Sequence, residues 1–138
     1  MKNYKYLLLF LVLTSFSIVA QNKTNSPKSL IVNVLIDVNK NIYIEEMLTQ
    51  KDQIGPNIKK LISTKPANKY EGVTYRIFAD GSLQHGTIMD VNTLLLKGYQ
   101  PIQTKTEKYL LDLKANNLDG PDWVDQLNKL DLKASRIN

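Results

Sequence analysis

The side chains able to carry acid–base or nucleophilic chemistry are few. His85 is the one histidine of the 138-residue chain, and there is no cysteine. Imidazole is the group whose ordinary pKa lies nearest neutrality, so His85 beside the hydroxyls of Ser82 and Thr87 has the ingredients of a base with a nucleophile, or of a pH sensor. No third group completes that pair and no nucleophile-elbow pattern surrounds it. The simpler reading is a histidine opening a helix next to Gly86. Asp37 with Glu45 and Glu46 is a second candidate, a carboxylate set of the kind that cleaves glycosidic bonds. Adjacent glutamates at a strand end point to opposite faces, which argues against it. Asp80, followed by Gly81 and Ser82, stands where an aspartate bonds the backbone of its own turn. Thiol enzymes, disulfide scaffolds, Cys-based zinc fingers and two-His metal centres are excluded by composition. No catalytic residue, metal or cofactor is expected, and the chain is read as a non-enzyme.

A binding surface is the better candidate. Lys105, Thr106, Glu107, Lys108 and Tyr109 continue a strand with a polar outward face, and Pro101 at its start suits the edge of a sheet. An edge leaves backbone donors and acceptors free to add a strand from a second copy or from an extended partner segment. The competing reading is an edge protected by its own lysines.

The elements that would position these residues follow from periodicity. Leu30, Val32, Val34, Ile36 and Val38 share one face of an extended run, Asn39-Lys40-Asn41 supplies a turn, and Ile42-Tyr43-Ile44 returns as the second strand of a hairpin. Ile54, Ile58, Leu61 and Ile62 form a helical stripe, with the cap at Asp52 or Gly55 and Pro56 in the first turn. Pro66 breaks that helix. Val73, Tyr75, Ile77 and Ala79 alternate along a third strand that ends at Asp80-Gly81-Ser82. Ile88, Val91, Leu94 and Leu95 are the stripe of a second helix, with Gly98 placed as a left-handed cap. Ile102, Thr104 and Thr106 alternate with Gln103, Lys105 and Glu107 as the fourth strand. The expected fold is therefore α/β (α+β), a two-layer sandwich of order β-β-α-β-α-β with two helices on one face of a small sheet. Asp119-Gly120-Pro121 then starts a C-terminal helix whose Trp123, Leu127 and Leu130 share a face, with Pro121 as its first residue. It is expected to dock on the sheet or to serve a partner.

The first acidic residue is Asp37. Lys2 and Lys5 precede the apolar run Leu7–Val12, and Val19-Ala20 comes before polar Gln21, the order of a secretory signal peptide. A short anchor is the alternative, although the 14 residues Leu7–Ala20 would cover only roughly 21 Å of a ~30 Å hydrocarbon core. Either places the remainder in the periplasm or cell envelope, with membrane contact only through residues 7–20 if they are retained. Residues 21–29 read as a polar linker, 30–110 as one domain and 111–138 as an extension with an amphipathic helix. The net charge of +5 falls once Lys2 and Lys5 are removed, too small a surplus for nucleic acid.

This element order, and the residues filling it, resemble the periplasmic domain of the ExbD/TolR family of biopolymer-transport proteins. The hairpin Val32 to Ile44, with its tyrosine-bearing second strand, is similar to the family's opening pair. Tyr75-Arg76-Ile77-Phe78-Ala79-Asp80, then His85-Gly86, then the apolar helix closing at Gly98, resembles its third strand and following helix, which makes Asp80, His85 and Gly86 the family-equivalent positions. The resemblance implies a homodimer working beside a TonB-like or ExbB/TolQ-like envelope protein in energy transduction. It also implies a membrane aspartate that handles protons, and no acid stands before Asp37. What carries over is the binding half of the family's role, as an accessory or divergent component. A free secreted module that binds a small ligand or the cell wall is the alternative.

Overall fold

The structure, a computed structural model, describes residues 28–130 and the backbone of residues 136–137. The export or anchor segment 1–20 and most of the linker lie outside the described residues. None of the described helices is long and apolar enough to cross a membrane.

The chain forms β1 (Ser29–Ile36), β2 (Ile42–Ile44), β3 (Met47–Thr49), a 3-10 turn at Lys51–Gln53 running into α1 (Ile54–Ser63), β4 (Gly72–Asp80), α2 (His85–Gly98), β5 (Gln103–Leu111), α3 (Trp123–Leu127) and β6 (Arg136–Ile137). The sheet order is β3-β2-β1-β4-β5-β6. β1, β4 and β5 are parallel, as two helical crossovers require, whereas β2, β3 and β6 join antiparallel. The fold class is the expected α+β sandwich with α1 and α2 on one face. Two strands were absent from the sequence reading. β3 is three residues long and β6 two, too short to set up a period of alternation.

The main core lies between the sheet and α1–α2. It gathers Val32, Val34 and Ile36 of β1, Tyr75, Ile77 and Ala79 of β4, Ile54 and Ile58 of α1, and Ile88, Val91 and Leu95 of α2. Val38 leaves this face because β1 stops at Ile36, and its side chain is exposed. In the hairpin turn Lys40 rather than either asparagine takes the left-handed conformation, φ 65°. Asp37 holds that turn closed, accepting from the Asn41 backbone N–H and side-chain amide, each at 2.8 Å.

Two helix-end expectations are corrected. Neither Asp52 nor Gly55 caps α1, whose N-cap is Gln53 with no side-chain bond, because the 3-10 turn already supplies the entry geometry. Gly98 is the last residue of α2 and not a left-handed cap, since no described glycine has positive φ. Its small size is needed for packing. A β-carbon there would lie 2.8 Å from the Cα of Gly55 in α1.

The opposite face carries a second core built by register. Leu35 lies opposite Tyr43 on one side and Phe78 on the other, and Phe78 lies opposite Tyr109. After β5 the chain folds back over this row, burying Leu113, Leu118, Trp123 and Leu127 against it. Phe78 stacks on Tyr109 with ring centres 5.1 Å apart and meets Trp123 edge-on at 6.3 Å. The C-terminal helix thus docks on the sheet. It starts at Trp123 with Asp122 as N-cap, two residues later than Pro121.

Candidate functional site

One residue row along from the aromatic row, the same face turns polar. Asn33, Arg76 and Glu107 lie side by side on β1, β4 and β5. Glu107 is buried, and its carboxylate accepts from Arg76 Nε at 3.3 Å, Tyr109 Oη at 3.0 Å and Lys105 Nζ at 2.8 Å. The Lys105 ammonium, then Tyr109 and Arg76, hold this carboxyl below the usual glutamate range against the opposing cost of burial. Glu45, at φ 51° after β2, adds an acceptor at the other end of the row, taking the Asn33 N–H at 2.8 Å and the Asn33 amide at 3.4 Å. The row thus holds two bonded groups, Asn33 with Glu45 and Arg76 with Glu107, Tyr109 and Lys105, and both carboxylates are engaged.

The five β5 residues are brought together as one strand, with different surroundings. Thr106 turns toward the helices and donates to Asn92 Oδ1 at 3.0 Å, fastening α2 to the sheet. Lys108 and Tyr109 pair with Ile137 and Arg136 of β6, so the outer edge is occupied there and the expectation of an open edge is corrected for these two residues. Along Gln103–Thr106 no described strand pairs on the side away from β4. The expected alternation holds, with Thr106 on the helix side and Lys105 and Glu107 on the other, but the bounds of the strand are shifted. Ile102 precedes the strand and is fully exposed, while β5 runs on to Leu111.

The three family-equivalent positions do not form a reactive group. Asp80 closes its own turn, accepting from the Ser82 hydroxyl and from the Ser82 N–H at 3.0 Å; those two bonds, the hydroxyl's first, lower its pKa. The Ser82 hydroxyl is therefore committed to Asp80, and among the described residues no hydrogen bond joins His85 to Ser82 or Thr87. His85 and Gly86 open α2 in solvent. Glu45 and Glu46 diverge as expected, since Glu46 stays exposed. Among the described residues no cluster of His, Asp and Glu is arranged to hold a metal ion.

Arg76 was missed by the sequence reading. It sits at an outward position of a strand with no local signal, and only cross-strand register brings it to Glu107. The fold thus defines a small α+β sandwich with a mixed sheet. Comparison with protein-family models finds no match, and comparison with curated proteins finds no matching relative.

Proposed function

We propose that this chain is an ExbD/TolR-like cell-envelope protein, an accessory or divergent component of a TonB- or Tol-type energy-transduction system, acting by binding another protein through its folded domain. The supporting observation is that β1, β2, α1, β4, α2 and β5 follow one another in the order the resemblance implies, with β3 and β6 as short additions, and that α1 and α2 pack on one face of the sheet. In this reading the outer edge of Gln103–Thr106 receives an extended strand from a second copy or from the partner, with backbone bonds giving affinity and Lys105 giving register. In this reading the chain contributes binding and not the proton-carrying step, because no acid stands before Asp37.

A photoreactive residue at position 105, introduced into the full chain in its own cells, tests this. The expected products are a crosslinked homodimer or an adduct with a membrane subunit of the motor. A chain that stays monomeric and uncrosslinked in intact cells would sink the reading. The mass of the mature protein separates the exported form, lacking residues 1–20, from the anchored one.

A further inference from the structure

The parallel strands give the domain two unlike ends. Ser29 of β1, Gly72 of β4 and Gln103 of β5 stand side by side, so all three strands start at one end. The connections entering β4 and β5 reach the same end, where the Glu71 N–H donates to the Lys28 carbonyl at 3.2 Å. Lys28, Lys65 and Lys69 are exposed on these segments, with Glu71 as the acid beside them. None of the three lysines makes an ion pair with a described residue. At the other end the sign reverses. Asp37 follows β1, Asp80 ends β4, Asp112 follows β5, and Asp119 lines one recess with Asp37 and Asp80, with Lys40 and Lys114 beside them.

The lysine end also exposes large aliphatic side chains. Ile102, directly before β5, is fully exposed, and so in part is Ile31, the third residue of β1. β2 pairs with β1 only along Val34–Ile36, so no described strand lies beside Ile31 on that side. Unpaired lysines around exposed aliphatic groups suit a lipid interface, where the ammonium groups meet anionic headgroups and the apolar groups enter the acyl boundary. Chain length favours the same occupant. The 7 residues 21–27 separate Ala20 from Lys28, and fully extended they span at most about 25 Å. With residues 7–20 retained in the membrane, the lysine end is held within that distance of the bilayer, and the aspartates, which an anionic surface repels, stand at the far end.

We propose that this end of the folded domain seats on an anionic bilayer surface, with Lys28, Lys65 and Lys69 at the lipid phosphates and Ile102 in the interface. The contact is additional to the one expected of residues 7–20, and for its nearness to lipid it rests on the anchored form of the proposed function. An acidic protein would engage the same lysines, but it gives the exposed Ile102 and the short tether no role.

The chain has no cysteine, so Ile102→Cys carries a single environment-sensitive fluorophore, and Val38→Cys, exposed just after β1, carries it at the opposite end. Each labelled full chain is mixed with vesicles of phosphatidylcholine, or of phosphatidylcholine with phosphatidylglycerol. The expected result is a blue shift at position 102, with quenching by nitroxide-bearing lipid, in the phosphatidylglycerol vesicles only. High salt should reverse it, and position 38 should not respond. Lys65→Gln and Lys69→Gln, both at exposed positions, should each lower the ratio of seated to lifted domain about fivefold, the factor for one lysine at an anionic surface. Circular dichroism verifies that both variants remain folded. An unshifted label at position 102 in the anionic vesicles would overturn the proposal and leave this end to an acidic protein. An equal shift in both kinds of vesicle would overturn it by assigning the contact to residues 7–20 alone. An equal shift at position 38, or an unaltered response in the folded double variant, would overturn it as well. The mass of the mature protein decides the anchoring and the label at position 102 decides the seating, so the two readings can fail separately.

Discussion

Gly98 of α2 rests against Gly55 of α1 so closely that a β-carbon on Gly98 would fall 2.8 Å from the Gly55 Cα and 3.2 Å from its carbonyl oxygen. The reverse substitution is different, because a β-carbon on Gly55 would sit 3.5 Å from the Gly98 Cα, an ordinary contact. Backbone cannot move aside as a flexible side chain can. Gly98→Ala should therefore be destabilising, since overpacking costs about 1–3 kcal/mol and outweighs the ~1 kcal/mol that alanine gains over glycine in helix propensity. Gly55→Ala should be neutral or stabilising. Urea midpoints of the two variants check the asymmetry, and equal effects would contradict the close crossing.

Glu107 makes an acid-limb prediction. Its folded pKa is lowered, so its contribution is fully present above the ordinary glutamate value of about 4.3 and is lost as pH falls through the folded value. Glu107→Gln should cost about 1–2 kcal/mol at neutral pH, a charged hydrogen bond discounted because Lys105 and Arg76 are partly solvated. It should also flatten the decline between pH 5 and pH 3, within about the range where carboxylates titrate. Urea unfolding at each pH gives both quantities.

The alkaline limb belongs to Tyr75, which is fully buried and donates its hydroxyl to the Tyr99 carbonyl at 2.7 Å, tying β4 to the exit of α2. Burial first, and Tyr99 second, raise its pKa. The stability linked to the neutral phenol is fully present below the ordinary value of about 10 and is lost as pH climbs toward the raised folded value. Tyr75→Phe should cost about 1 kcal/mol at pH 7, leaving a carbonyl without its partner, and should remove that alkaline loss. Thermal melts at pH 7 and at high pH are sufficient.

The segment after β5 is structural. Trp123→Ala should destabilise by about 3–5 kcal/mol, as removal of a large buried aromatic does. A chain ending at residue 110 should bind hydrophobic dye and lose near-ultraviolet circular dichroism, because Leu35, Phe78 and Tyr109 would lose their cover. A soluble, cooperatively folding truncation would show instead that this layer is dispensable.

Much of the fold was legible in the chain because one face of each long element is apolar at its own period. The alternation of Leu30, Val32, Val34 and Ile36, and the spacing of Ile54 and Ile58, need no partner to be read. The roles of several glycines, charges and short strands were not legible. Gly98 looks like a helix cap from its place at the end of an apolar stripe, and only the crossing of two helices shows that it is a contact. β5 looks like an edge from its polar face, and the pairing of Arg136 and Ile137 with Tyr109 and Lys108, which closes part of that edge, shows only in the folded chain.

Periodicity and composition are local properties, so the long strands and helices, the apolar layer between helices and sheet, and the exclusion of thiol and two-histidine chemistry could be read from the chain alone. Tertiary structure decided which residues meet. Register set Arg76 against Glu107, and the fold-back of residues 111–130 put Trp123 and Asp119 at one recess with Asp37 and Asp80, groups far apart in the chain. Such encounters depend on where strands and loops come to rest, and that is set by packing summed over the whole domain.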